Sequence, residues 1–202
     1  MLTKGYSYRI QEAQGERMFI KQEQASDITA VDQVIKKAFA PLPYSDHQEH
    51  LLVRRLRQSK EFIPELSLVA ELDGQIVGHI LFTKAQVNHT TVLALAPLAV
   101  HPDYQQQGIG SALVKKGHQL AQALQFPYSI VLGDPQYYSR FGYQAAKNWG
   151  IFPPFDVPSN HFMGIKLIQS APPLHGTLAY SEAFGVCCRT YPQGRYVLSL
   201  LQ

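Results

Sequence analysis

The stretch Ala96-Pro97-Leu98-Ala99-Val100-His101-Pro102-Asp103-Tyr104-Gln105-Gln106-Gln107-Gly108-Ile109-Gly110-Ser111-Ala112-Leu113 decides the fold of this chain. It reads as a strand, a tight turn, a glycine loop and then a helix. Leu98 and Val100 are apolar at alternate positions, the period of a strand. His101-Pro102 ends that strand, because a residue before proline is held away from helical geometry, and Pro102-Asp103 suits the start of a turn. From Ser111 onward Leu113, Val114, Leu120, Ala121 and Leu124 share one helical face, so the glycines stand just ahead of a helix N-terminus.

The first N–H groups of a helix lack helical partners and its dipole adds partial positive charge. Such a spot favours an anion by about 0.3 to 1 kcal/mol per charge. Gly108 and Gly110, without a Cβ, let the backbone itself approach a phosphate. Pro97 has no N–H to give a ladder and marks an edge or a local break. If the strand parts from its neighbour there, the N–H and C=O groups of Leu98 and Val100 are free to pair with an extended, amide-bearing ligand. An extended amide chain ending in a pyrophosphate fits both halves of the stretch. Coenzyme A is such a molecule.

Gln105-x-x-Gly108-x-Gly110 after Leu98-Ala99-Val100 resembles motif A of the GNAT superfamily of N-acetyltransferases. Further on, Tyr137-Tyr138-Ser139-Arg140-Phe141-Gly142-Tyr143 resembles that family's aromatic-rich motif, and the resemblance runs from Gln22 to Leu167. It implies an α/β (α+β mixed) fold, with a mixed antiparallel and parallel sheet splayed at the cofactor site and flanked by helices. It also implies acetyl-CoA as cofactor, and transfer of an acetyl group to a primary amine, on a small molecule or a peptide or protein N-terminus, by direct attack in a ternary complex. The cofactor contacts carried over are Leu98, Ala99, Val100, Gln105, Gln106, Gln107, Gly108, Ile109, Gly110, Ser111, Tyr138 and Phe141. The backbone N–H of Leu98, or of Val100, would face the developing oxyanion. Tyr138, four residues before Gly142, matches the tyrosine that protonates the departing sulfur. Tyr137 and Phe141 fit core or pantetheine-lining roles. Lys115, Lys116 and Arg140 fit either the ribose phosphate or ordinary solvated charge.

The acceptor cleft implied by the resemblance lies between the two N-terminal helices and the loop after Trp149. Phe39, Tyr44, His79, Trp149, Phe152 and Phe155 are its expected lining, an aromatic, weakly charged wall that suits a small apolar amine or a peptide N-terminus over a polyanion. One departure from the family stands out. Thr90 to Val100 carries no carboxylate, so the base for the amine stays open between Glu71, His79, Asp134, a water relay and an acceptor that arrives neutral. Without an assigned base, a non-catalytic acyl-CoA-binding sensor is a rival reading. A dinucleotide-binding protein is another, since Asp134 ends the next strand where a ribose-binding acid belongs. Leu113 in place of a third glycine, and antiparallel hairpins upstream, count against that one.

The rest of the chain bounds these readings. Its 202 residues, 46% hydrophobic and 16% charged, suit one soluble globular domain. The expected division is an arm over 1–16, the acetyltransferase-like domain over 17–168 and a C-terminal extension over 169–202 packed on it. No run nears the roughly 20 apolar residues that span a bilayer, and Met1 to Met18 is too polar for a secretory signal, which leaves the cytoplasm and no membrane partner. A formal charge of +3 without a basic run gives no sign of nucleic acid. Cys187 and Cys188, adjacent, form neither a staple nor a metal clip. His47 and His50 lack a third ligand, so no metal is expected.

Periodicity places strands over Met18–Gln22, Leu66–Leu72, Ile76–Phe82, Val92–Val100, Ser129–Leu132, Tyr143–Trp149 and Phe162–Ile168. Asp73-Gly74 marks a hairpin turn. Ser26 or Asp27 caps a first helix with the stripe Ile28, Val31, Val34, Ile35, Ala38, Phe39. Ser45-Asp46-His47-Gln48 has capping-box spacing ahead of a second helix carrying Leu51, Leu52, Arg55 and Leu56. Tyr137–Phe141 reads as a short helix. The tail, whose Tyr196–Leu201 is mostly apolar, suits an edge strand or the contact of a homodimer.

Overall fold

The computed structural model describes residues 8–9, 18–43 and 45–185. Among the described residues ten strands and four α-helices follow in order: β1 (Tyr8–Arg9), β2 (Met18–Gln22), α1 (Ile28–Phe39), α2 (Glu49–Arg57), β3 (Phe62–Leu72), β4 (Gln75–Val87), β5 (Thr90–Val100), α3 (Ile109–Ala123), β6 (Tyr128–Leu132), α4 (Pro135–Tyr138), β7 (Gln144–Ala145), β8 (Ile151–Phe152), β9 (Phe162–Lys166) and β10 (Gly176–Ala179). They form one sheet in the order β1-β2-β3-β4-β5-β6-β9-β7, with β10 beside β4 and β8. Neighbours from β1 to β5 run antiparallel, β5 and β6 are parallel, and β6–β9 returns to antiparallel. The sheet is mixed, as the resemblance implies.

Alternation along the central strands sends side chains to two helical layers. Gly78, Ile80 and Phe82 face α3, which packs Ile109, Leu113, Val114 and Ala121 against them. Val69, Leu81 and Ala99 point the other way, under Val31, Val34, Ile35 and Ala38 of α1 and Leu52, Val53 and Leu56 of α2. A third apolar cluster, with Val87, Val92, Tyr128, Ile151, Phe162 and Leu178, fills the far end of the sheet. Asp73 and Gly74 both have positive φ, 47° and 83°, the backbone a two-residue hairpin turn requires. No helix among the described residues is long and apolar enough to cross a membrane.

Several elements differ from their sequence reading. Tyr143–Trp149 forms only the two-residue β7, and Ala146–Trp149 tightens into a 3-10 turn against Gly164. The expected capping box at the start of α2 does not form. Ser45 Oγ accepts from the His47 N–H instead and donates to Glu49. α3 begins at Ile109, two residues before Ser111, and Leu124 lies past its end, exposed. Leu51 and Ile28 also face solvent. Within the arm over 1–16, Tyr8 and Arg9 pair with Ile20 and Phe19. The tail contributes β10, paired with Val87 and Gln86 of β4. Tyr44, Cys187, Cys188 and Tyr196–Leu201 lie outside the described residues.

Candidate active site

β5 and β6 part after two paired positions, Leu93 with Ser129 and Ala94 with Ile130. Beyond them β5 keeps only β4, across a bulge between the Phe82–Leu95 and Ile80–Leu98 pairs that holds Ala96 and Pro97, whose peptide bond is cis. The His101 N–H donates to the Val77 carbonyl at 2.8 Å. Antiparallel bonding alternates, so Ala99 also turns its ladder groups to β4, while those of Leu98 and Val100 turn to the gap. The Val100 carbonyl is met there by Gln105 Nε2 at 3.1 Å.

The gap opens onto the N-terminus of α3. Gln106, at φ 61°, and Gly108, at φ 84°, are both left-handed, the backbone of a sharp turn into the helix. The first helical bond runs from Ala112 to Gly108 O, so the N–H groups of Ile109, Gly110 and Ser111 have no helical partner. The two glycines serve different ends. A Cβ on Gly108 would meet open space, so that residue is there for its backbone angle. A Cβ on Gly110 would come within 2.5 Å of Tyr137 Oη and 3.6 Å of Val100. Gly110 therefore makes room for a neighbouring side chain, and not only for a phosphate.

Asp134 caps the short helix α4 by accepting from the Gln136 N–H at 2.9 Å. From that helix Tyr137 reaches the start of α3, and Arg140 lies over its ring at 4.4 Å. Burial pushes the Tyr137 phenol up, against the opposing pull of Arg140 and a hydrogen bond with Ser111. Tyr138 points inward. Its ring lies against Gly133, where a Cβ would come within 2.3 Å, and its hydroxyl is fully buried with no hydrogen-bond partner. Burial pushes this phenol well above its usual value, and Tyr143 and Tyr137 add to the shift. Beside it, the Tyr143 hydroxyl lies 2.8 Å from Ser129 Oγ and 3.0 Å from His118 Nε2. Phe141 packs on Tyr137 at 5.5 Å, in the same apolar layer. Spacing alone exposed neither the lone hydroxyl of Tyr138 nor the Gly133 that seats it.

The three candidate bases are differently placed. Glu71 pairs with Lys21 at 2.5 Å, and Asp134 is the α4 cap. His79 is wholly enclosed, with Nε2 3.2 Å from Ser67 Oγ and 3.8 Å from Glu23. Burial alone would push the Glu23 carboxyl up, but His79, Arg57 and Ser67 around it hold it down to about 2. Two expected cleft residues are core instead. Phe39, the last residue of α1 and 1% exposed, joins the apolar cluster between the two N-terminal helices and the sheet, and His79 shows no surface to an acceptor. Trp149 donates to Gly164 O at 3.0 Å, Phe155 stacks on Tyr180 at 6.1 Å, and Phe152 stays exposed beside His175. A small cavity of about 210 Å³ lies at the end of α1 between Lys36, Ala40, His47 and Glu49, where burial pushes the Glu49 carboxyl up.

The chain matches the model of the acetyltransferase (GNAT) family over residues 31–143, a span that contains the gap, the glycine loop and the tyrosine turn. It is 34% identical over 141 residues to YjhQ, an uncharacterised N-acetyltransferase of Escherichia coli K12, covering 67% of this chain and 75% of the relative. YhbS, an uncharacterised N-acetyltransferase of the same organism, is 32% identical over 132 residues, covering 64% of this chain and 75% of its own. A GNAT family acetyltransferase from Brucella melitensis in complex with acetyl-CoA superposes with a TM-score of 0.69 at 32% identity, covering 83% of this chain and 97% of that one. The structure of Escherichia coli YhbS in complex with CoA gives 0.77 at 27% identity, covering 88% and 96%. Sequence match, superposition and a parted sheet running into a glycine-capped helix agree, and the chain belongs to the acetyltransferase (GNAT) family.

Proposed function

We propose that this protein transfers an acetyl group from acetyl-CoA to a primary amine, on a small molecule or at a peptide N-terminus, by direct attack in a ternary complex. The observation that carries the reading is the row of ladder groups at Leu98 and Val100, turned away from β4 and leading straight into the N-terminus of α3. Gln105 to Ser111 hold the pyrophosphate, with Leu98 to Val100 and Phe141 along the pantetheine arm.

Acetyl-CoA supplies the activated thioester, and the chain's own groups do the rest. The Leu98 N–H, fixed by its strand, stands where the carbonyl oxygen gains negative charge, and one such donor lowers a barrier by about 3 kcal/mol. Tyr138 keeps its proton for the departing sulfur. In water a phenol near 10 is a poor acid toward a thiolate near 8.5. Burial raises the Tyr138 phenol further, so the hand-over rests on positioning the hydroxyl against the sulfur and not on its acidity. The amine gives its proton to water at the mouth of the gap, since Glu71 and Asp134 are engaged and His79 is enclosed. The acceptor approaches beside Trp149, Phe152 and Phe155.

Coenzyme A release against a panel of amines tests the reading. Tyr138→Phe is expected to lower kcat on the order of 100-fold, with acetyl-CoA affinity nearly unchanged. Gly110→Asp is expected to abolish acetyl-CoA binding through its collision with Tyr137 and its charge. Tight binding without turnover on any amine would make the protein a sensor, and full activity in Tyr138→Phe would remove that phenol from the chemistry.

A further inference from the structure

At the Val100 end of β5, on the sheet face opposite α3, lies a cavity of about 580 Å³ walled by one face of α1 with the turn before it, the β3–β4 turn and His101. That volume falls in the range of small-molecule sites, about 300 to 1,000 Å³. Neither Leu98, nor Tyr138, nor any residue of the glycine loop lines it. It is a separate place from the acetyl-transfer gap.

Two nitrogen groups confront each other there. Lys37 Nζ, from α1, lies 3.0 Å from His101 Nε2. On the other edge of the ring, the Asp103 N–H points at Nδ1 from 3.3 Å, with the Asp103 carboxylate at 3.7 Å. A neutral imidazole has one lone pair and one N–H. With the lone pair on Nδ1, the Nε2–H meets an ammonium. With the lone pair on Nε2, the Nδ1–H meets a backbone N–H. Either way a donor is left facing a donor.

We infer that this cavity binds a small anion through a carboxylate or phosphate group. Its oxygens accept from Lys37 Nζ and from the Nε2–H of a neutral His101 together, while the Nδ1 lone pair accepts from the Asp103 N–H. Every donor then has an acceptor, and the bonds are charge-assisted, the stronger kind. Gln75 adds to the wall with its amide nitrogen, because its Oε1 already accepts from the Tyr104 hydroxyl at 3.2 Å. Of the carboxylates nearby, Asp27 is committed to the Gln24 N–H at 2.9 Å and to Lys21 at 3.6 Å, and Asp73 is exposed in the turn. His101 directly follows Val100, so an anion here ties α1 to the strand end from which the glycine loop departs.

The test uses protein saturated with coenzyme A, titrated calorimetrically with inorganic phosphate and, separately, with citrate. At least one probe is expected to bind one-to-one, and the better one identifies the group. Lys37→Ala, a change on an exposed helix face, and His101→Gln are each expected to weaken binding about tenfold or more. Gly110→Asp, without coenzyme A, is expected to keep the anion site, which separates it from the phosphate cradle and makes its outcome independent of the acetyltransferase reading. Three results would overturn the inference: no saturable binding of either probe, unchanged affinity in both Lys37→Ala and His101→Gln, or loss of binding in Gly110→Asp.

Discussion

His118 hangs from α3 into the apolar layer beneath the tyrosine turn, with the Tyr143 hydroxyl 3.0 Å from its Nε2. Burial lowers its pKa to about 4, whereas unfolded it titrates near 6.5. Below pH 6.5 the unfolded chain therefore holds a proton that the folded one refuses, and stability declines as pH drops from 6.5 to about 4. The whole loss is on the order of 3 kcal/mol. Glu23, held down to about 2, loses its contribution only below pH 4.5, so urea unfolding at pH 6.5 and 4.5 reads the histidines together with Glu49, whose carboxyl burial raises. His50 is also lowered by burial, and the decisive comparison is with His118→Gln, whose stability should vary less between those two pH values. Equal slopes in the two proteins would mean that His118 is not the group responsible. At this scale the sequence was half legible. The spacing of Tyr138 from Gly142 picked out a phenol, but Phe39 and His79 read as cleft wall because a one-dimensional pattern marks a residue as inward-facing without saying whether it faces a cleft or the core. Gly133 carried no signal, since what makes it matter is a ring that arrives from α4.

Strand alternation and the glycine loop showed the central elements plainly because both are local. β3, β4 and β5 all run longer than their alternating cores, since cross-strand pairing extends a strand past the point where apolar residues stop. Tyr143–Trp149 failed as a strand for the opposite reason: beyond Ala145 no partner is in reach, and Gly164 leaves room for Trp149 to fold back on β9. The closeness of α3 to the sheet was not legible at all. It depends on Gly117, in mid-helix, where a Cβ would come within 2.3 Å of the Phe82 ring. Helix propensity by itself predicts that Gly117→Ala stabilises by about 1 kcal/mol. Contact with Phe82 predicts the reverse, a loss of about 1 to 3 kcal/mol from overpacking. Because α3 carries the proposed phosphate cradle at its N-terminus, Gly117→Ala is also expected to weaken acetyl-CoA binding. A variant more stable than the parent would show that the helix has slack against β4.

Across the whole molecule, the cradle and the C-terminal tail sit at opposite ends of the same long strands. β4 gives its Gly78 end to Val100 and α3, and its Val87 end to β10. At about 3.3 Å per residue, these ends are roughly 30 Å apart. β10 takes the place beside β4 that β3 leaves beyond Phe62, and it is anchored by Leu178, 1% exposed, by the Gly176 N–H donating to Gly150 O at 2.8 Å, and by the Tyr128 hydroxyl donating to Pro172 O at 2.9 Å. The resemblance to the family stops at Leu167, and the tail's expected edge strand rested on its apolar Tyr196–Leu201, whereas the tail strand that joins the sheet among the described residues is Gly176–Ala179. If the tail is part of one cooperative unit, Leu178→Ala costs the usual price of a buried leucine, about 2 to 5 kcal/mol. Trp149, the single tryptophan, lies in the same apolar cluster as Leu178 and reports on that end by fluorescence, while far-UV circular dichroism reports on the sheet and helices together. Both signals are expected to move to lower denaturant in step, with acetyl-CoA affinity intact under native conditions because the cradle is remote. If fluorescence shifts alone while the dichroism transition stays where it was, the tail is a separately folding attachment and β4 holds without it.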